Sequence, residues 1–532
     1  MTATTKVVGP PGTGKTTWML KRIAAELSRG VLPQEVLYAS FSRAASYEGR
    51  DRAMVAFPQF VDSDFENFAT IHAICYRLLG LDREAIFTGK KLEEFGKTVR
   101  YEYSLDTHRR DNTEQDIIDT TLVTLGDYSE AFIAWWAHTM EPDFKKAYAS
   151  FVSRQVTTPD NFNGNSLTWY MEQRTKYKND KGLWDFQDML AAVLQRRLVP
   201  PGMKACFFDE QQDSSRLLFE VAKLWASASE RAYFAADPYQ AIYSFMGADA
   251  NLFIDLKADQ EVALKQSHRC SQAVYELSRK VVQRMRSRYP NDEFVPTVEP
   301  GVTKRSPLVS FDLENYPGTT FALFRTRYQV SLFYKHLMDK GIPFITRRGK
   351  ESPLTKIAGE SVATMIRLAA GESVYIGEVE RMMEYVPQRG FMERGAKTAI
   401  TNKAAESPSL KIDDRALPLL GFQPSFMDAL RQNQYLEIIK LPAVERAYLQ
   451  KVVSKFGSKA LLDPPKLQLG TIHSVKGLEA DRVLLGLDLT RSPYENLEKR
   501  PDEEHRVFYV AVTRAKNEVD LISPDNYEAY PL

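Results

Sequence analysis

Short apolar runs, separated by glycine turns and helical stretches, set the plan of this 532-residue chain. Near its start an apolar run at Lys6–Gly9, a glycine turn, a helical stretch over Lys15–Arg29 and a second apolar run at Val36–Ser40 follow one another. Strand, loop, helix and strand in that order open a parallel α/β sheet. Similar runs recur at Cys206–Asp209 and Arg231–Ala236. Over 81–182 the pattern turns charged, aromatic and helical, which predicts a helical insertion into the first sheet domain (1–80 and 183–264). The second half repeats the scheme. Thr320–Phe324, Leu467–Thr471, Arg482–Leu487 and Glu518–Ile522 read as buried strands of a second sheet domain (265–371 and 464–532), interrupted by a helical, proline-containing region over 372–463. The fold class is therefore α/β: two parallel-sheet domains, each carrying a mainly helical insertion.

Composition narrows the function classes. Hydrophobic residues at 44% and charged residues at 26% are ordinary for a globular protein. With 70 Lys+Arg against 69 Asp+Glu the net charge is +1, which argues against indiscriminate grip on nucleic acid and leaves room for a locally basic groove. The cysteines Cys75, Cys206 and Cys270 are far apart and odd in number. That disfavours a disulfide framework or a four-cysteine zinc site and fits a reducing cytoplasm. The first residues do not read as a secretory signal, and no apolar run is long enough to span a membrane.

The chemistry is concentrated in two segments. Gly9-Pro10-Pro11-Gly12-Thr13-Gly14-Lys15-Thr16 fits the phosphate-binding pattern G-x-x-x-x-G-K-[ST] between a strand and a helix. Its glycines let backbone N–H groups curl around phosphate oxygens, Lys15 reaches the β- and γ-phosphates, and the Thr16 hydroxyl suits Mg²⁺. Thr17 extends the same turn. Phe207-Phe208-Asp209-Glu210 is an apolar strand ending in two carboxylates. Asp209 suits Mg²⁺, and Glu210 is placed to orient or deprotonate an attacking water.

These and further segments resemble the UvrD/Rep family of superfamily 1 helicases. Asp209-Glu210-Gln211-Gln212-Asp213 resembles that family's DEAQD box, and Ala236-Asp237-Pro238-Tyr239-Gln240-Ala241-Ile242-Tyr243-Ser244-Phe245-Met246-Gly247-Ala248 its GDxxQSIYSWRGA segment. Lys265-Gln266-Ser267-His268-Arg269-Cys270-Ser271 is similar to EQNYRST, Gly470–Glu479 to TLHSAKGLE, and the stretch from Glu503 to Ala515 to EERRLxYVxVTRA. The resemblance implies two RecA-like P-loop domains that hydrolyse ATP, or another NTP, with Mg²⁺ between them. It implies movement on single-stranded DNA in the 3′→5′ direction, and tailed duplex DNA as a substrate. Replication, repair or recombination proteins are the partners it suggests, and the chain's compactness fits a phage or mobile-element member. On the same ground Arg269 and Arg514 come from the second domain to the γ-phosphate, Gln240 senses that phosphate, and Gly477 with Glu479 lies at the nucleotide sugar.

A motor on single strands needs aromatic faces for bases and polar groups for phosphates. By resemblance these are Phe41 and Arg43, Thr70 and His72, and Tyr243 and Phe245 in the first domain. His473 and Ser474 contribute from the second, where Arg325 and Arg327 add charge. Four departures stand out. Gln211 replaces an alanine and Met246 an arginine, and His268 stands where the family stacks a tyrosine on adenine. Only eight residues precede Gly9, too few for the family's adenine-reading segment. Loose base selectivity is the expectation. Two rival readings remain at this level: a nucleotide-switched DNA-binding subunit, and the motor of a nuclease complex.

Overall fold

The computed structural model describes residues 2–40, 43–103, 124–155, 158–289, 293–315, 318–347, 350–355 and 357–532. The chain forms two compact units, Met1–Gly301 with Thr490–Thr513 and Leu532, and Val302–Leu489 with Arg514–Pro531.

The first unit is built on six parallel strands: β1 (Ala3–Val8), β2 (Val36–Ser40), β3 (Phe68–Thr70), β4 (Ala205–Phe208), β5 (Arg231–Ala236) and β6 (Gln260–Ala263). Their order in the sheet is β3-β2-β4-β5-β1-β6. The central strands are apolar throughout because helices cover both faces. Val7, Tyr38 and Phe207 point into one core, and their neighbours Val8, Leu37 and Phe208 into the other. Register completes the packing. Pairing Phe207 with Tyr233 and Phe208 with Phe234 stacks one aromatic pair on each face, at 4.6 and 4.8 Å between centroids.

Among the described residues, the 81–182 region is helical, with helices at Lys90–Val99, Leu125–Thr139, Phe144–Val152 and Gly164–Lys181. Its aromatic clusters, around Phe132 and Trp135 and around Phe95 and Tyr170, are separate from the sheet cores. A buried ionic lock joins it to the sheet domain. Arg174 holds Glu130 at 2.8 Å and Asp185 at 2.6 Å, and Asp185 also caps the helix Phe186–Gln195.

The second unit repeats the parallel plan with β7 (Val302–Ser306), β8 (Thr320–Phe324) and β9 (Phe344–Thr346). After β10 (Val374–Tyr375) and β11 (Lys411–Ile412) come β12 (Leu467–Thr471), β13 (Ala480–Gly486) and β14 (Ala515–Ile522). The main sheet runs β7-β14-β13-β8-β12-β9, while β10 and β11 form a small antiparallel ladder. The 372–463 insertion shares its core with this sheet: Phe344 and Leu469 belong to the same cluster as Ile376, Met382, Phe426 and Leu449.

Residues 265–301 and 490–513 pack with the first unit. For 265–301 the reason is local bonding. The Ser267 hydroxyl donates to the Pro11 carbonyl at 2.8 Å, and the His268 N–H to that of Gly12 at 2.8 Å.

Candidate functional site

Parallel strands put every loop that follows a strand on one edge of the sheet, and ligands of α/β proteins bind outside that carboxyl edge. In the first unit Gly9 follows β1, Asp209 and Glu210 follow β4, and Asp237 follows β5. Motifs some 200 positions apart thus become neighbours on the fold.

The loop between β1 and α1 (Lys15–Ser28) has the backbone its glycines permit. Gly12 and Gly14 take φ of 72° and 77°, the left-handed region. Gly12 is also tightly overlaid, since a Cβ there would lie 2.4 Å from the Arg269 Cβ and 2.8 Å from the Ser267 Oγ. The Thr13 hydroxyl pins the turn by donating to the Pro10 carbonyl at 2.8 Å, and Lys15 Nζ donates across it to the Gly9 carbonyl at 2.8 Å. Thr16 is drawn towards the acids, its hydroxyl donating to Asp209 Oδ2 at 3.0 Å.

Asp209 is buried and richly bonded. Tyr38 Oη donates to its Oδ2 at 3.0 Å, and the Glu210 N–H to its Oδ1 at 2.9 Å. Burial, and then the neighbouring Glu210 charge, push its carboxyl upward, against the pull of Lys15. Such a pair of adjacent acids with a threonine hydroxyl fits a hard divalent cation, which would relieve the same repulsion. Glu210 sits at φ 55°, a left-handed conformation that costs a non-glycine residue about 1–2 kcal/mol. The Gln212 amide donates to its Oε2, and the Gln212 carbonyl oxygen accepts from the Asp237 N–H at 3.1 Å. From there Gln240 Nε2 donates to Asp237 Oδ2 at 2.7 Å. One polar string therefore joins Glu210 to Gln240. Tyr38 and Gln212 have no strong signal of their own in the sequence, one lying within an apolar strand and the other inside the acidic box.

Arg269 lies half-buried over Gly12 in the first unit, where the bonds from Ser267 and His268 to the loop hold its segment. The His268 side chain is exposed. In the second unit Arg514 is 1% exposed and donates to the Leu478 carbonyl at 3.1 Å. Gly477 takes φ 83°, and Glu479 pairs with Lys516 at 3.0 Å.

The expected DNA residues that are described lie in segments that follow strands of their own unit's sheet. Thr70 ends β3 and caps the helix Ile71–Leu78, its hydroxyl accepting from the Ala73 N–H at 3.2 Å. His72 packs edge-on to Phe186 at 5.6 Å. Tyr243 is half-buried and Phe245 41% exposed, their rings 6.1 Å apart. Phe41 lies outside the described residues; Arg43 opens the helix Arg43–Ala56, with its side chain outside them. In the second unit Arg325 and Arg327 follow β8 and His473 and Ser474 follow β12, the strand beside it.

The UvrD/REP helicase N-terminal domain family matches residues 1–261, and the UvrD-like helicase C-terminal domain family residues 431–524. The chain belongs to the UvrD/Rep family of superfamily 1 helicases. It is an ATP-dependent DNA helicase. Similar proteins include a putative ATP-dependent DNA helicase YjcD of Bacillus subtilis, 22% identical over 98% of this chain and 77% of its own length. A probable DNA helicase II homolog of Mycoplasma pneumoniae is 21% identical over 96% of this chain and 81% of its own. The ATP-dependent DNA helicase PcrA of Staphylococcus aureus is 20% identical, covering 96% and 80%. No helix among the described residues of this helicase is long and apolar enough to cross a membrane.

Proposed function

We propose that this helicase translocates 3′→5′ along single-stranded DNA and opens tailed duplexes, driven by hydrolysis at the β1–α1 loop. The observation that carries the reading is the continuity of residues 237–245. The segment begins at the Asp237–Gln240 bond beside the buried acids and ends, five residues past Gln240, on the exposed ring of Phe245. Fuel and track would be joined by one short, bonded piece of chain.

In this reading the N–H groups of the Gly9–Thr16 loop and the Lys15 ammonium hold the phosphates. Thr16 and Asp209 would hold Mg²⁺, which supplies positive charge against them. Glu210 orients the water that attacks the γ-phosphorus as the bond to the bridging oxygen breaks. Gln240, Arg269 and, from the second unit, Arg514 answer the charge that develops there. Phe41, Tyr243 and Phe245 stack on bases. Arg43, Thr70, His72, Arg325, Arg327, His473 and Ser474 meet the backbone. Strand displacement on 3′- and 5′-tailed duplexes tests it; opening of the 5′-tailed duplex alone refutes the polarity.

Stacking is worth about 1–3 kcal/mol per base, enough to hold one base during a step. Phe245→Ala is therefore expected to keep a substantial part of the DNA-stimulated ATPase rate while losing most unwinding of a 3′-tailed duplex. Wild-type unwinding by that variant would make Phe245 a packing residue. Base selectivity gives a second outcome. With His268 exposed where the family stacks a tyrosine, GTP is expected to support turnover within about tenfold of ATP, since a hydrogen-bonded base reader would discriminate more sharply. Side-by-side kcat/KM values for the two nucleotides decide it, and strict ATP dependence refutes it.

A further inference from the structure

The carboxylate of Asp237 is wholly buried, and Gln240, Tyr239 and Tyr289 donate to it. Gln240 Nε2 reaches Oδ2 at 2.7 Å, the Tyr239 N–H reaches Oδ1 at 3.1 Å, and Tyr289 Oη reaches Oδ1 at 3.0 Å. The first two lie within three residues of Asp237. Tyr289 comes from 52 positions away, beyond the helix Gln272–Val282, and lies outside every motif read from the sequence. Its ring is not a loose neighbour. It packs on Tyr239 at 4.3 Å between centroids, and Tyr239 meets Tyr509 edge-on at 5.6 Å. Val281, Val282 and Met285 close the cluster. Tyr509 stands on the helix Pro501–Val512, five residues before Arg514.

We propose that Tyr289 is a positioning residue for ATP hydrolysis: its hydroxyl holds the Asp237 carboxylate, and through it the Gln240 amide, in the orientation that meets the γ-phosphate. The proposal rests on the γ-phosphate role given to Gln240 above. An amide nitrogen carries two hydrogens; committing one to Oδ2 fixes the direction of the other. The carboxylate can do this only while it is itself fixed and ionised. The Tyr289 hydroxyl brings to it a hydrogen bond from another part of the fold. Burial works against ionisation, and the Lys15 charge with the Gln240 and Tyr289 hydrogen bonds opposes it. Without the hydroxyl, the carboxylate is free to turn or to take up a proton, and a protonated oxygen no longer sets the amide. Substrate affinity, which the phosphate loop dominates, is untouched by this.

The test compares Tyr289→Phe, Gln240→Ala and the double variant as full-length chains, by steady-state ATPase with saturating single-stranded DNA and by thermal melting. Tyr289→Phe keeps the ring and its packing. The expected result is a kcat lowered about 5–10-fold with KM for ATP within about twofold, the scale of one misaligned donor in a transition state. Melting should remain near that of the wild type. The double variant should turn over no more slowly than Gln240→Ala alone, because the two groups act in series. A kcat for Tyr289→Phe within twofold of wild type, or losses that multiply in the double variant, overturns the proposal. So does a large fall in melting temperature with unchanged kcat per folded molecule, which would make the hydroxyl a stability contact. Wild-type turnover in Gln240→Ala is a different result: it refutes the γ-phosphate role of Gln240 itself.

Discussion

Lys15→Ala is expected to lower DNA-stimulated ATP hydrolysis on the order of 10³-fold, the loss seen when a transition-state donor is removed. The ammonium lies across the loop on the Gly9 carbonyl, and its charge acts on two buried acids, lowering the proton affinity of both Asp209 and Asp237. In the proposed site its removal takes away the phosphate contact and a charge that opposes the upward shift of both carboxyls. The loop backbone is set by Gly12 and Gly14 and by the Thr13–Pro10 bond, none of which needs the lysine side chain. Binding of single-stranded DNA without nucleotide should therefore change little. Phosphate release and fluorescence anisotropy measured on one preparation check both halves. Near-normal turnover would move the hydrolytic site elsewhere, and loss of both activities would point to misfolding.

Arg514→Ala should lower turnover roughly 10³-fold or more, the scale on which trans-acting arginines contribute to phosphoryl transfer. The side chain is almost fully buried, with Nη1 on the Leu478 carbonyl, and the Ala480 N–H donates to the Arg514 carbonyl at 3.0 Å. Backbone and guanidinium are thus both fixed before substrate arrives, which is what electrostatic stabilisation of a transition state requires. Lysine should not restore activity, because an ammonium cannot hold the Leu478 carbonyl while presenting a planar fork. Arg514→Lys is the sharper experiment. If it hydrolyses ATP at the wild-type rate, or if Arg514→Ala loses stability and not turnover, the residue is a structural pin and hydrolysis depends on another cation.

Several elements were legible to the residue. Val36–Ser40, Arg231–Ala236, Thr320–Phe324 and Leu467–Thr471 are strands at the bounds their apolar runs predict. All lie inside a sheet, where cover on both faces demands continuous apolar sequence. Within the two main sheets the strands with no such signal are β3, β6, β7 and β9, and these are their four edges. An edge strand needs partners on one side only and tolerates exposed, polar residues; β7, Val-Thr-Lys-Arg-Ser, is exposed over most of its length. The phosphate loop was legible for a related reason. Strand, glycine turn and helix N-terminus are consecutive in the chain, so the pattern records its own geometry.

The sequence by itself determined the α/β class, the two-sheet plan, the phosphate loop and the acidic strand end, because each rests on spacing within a few residues. Only the tertiary structure decided what surrounds the acids. Tyr38 reaches Asp209 across 171 positions, Tyr289 reaches Asp237 across 52, and Ser267 reaches the phosphate loop across 256. The Ser267 bond, with that of His268, holds the segment around Arg269 against the phosphate loop. Such contacts leave no periodicity to read. They arise because parallel strands gather all their carboxyl ends on one edge, and a charge buried there must take its partners from whatever part of the chain the fold brings past it.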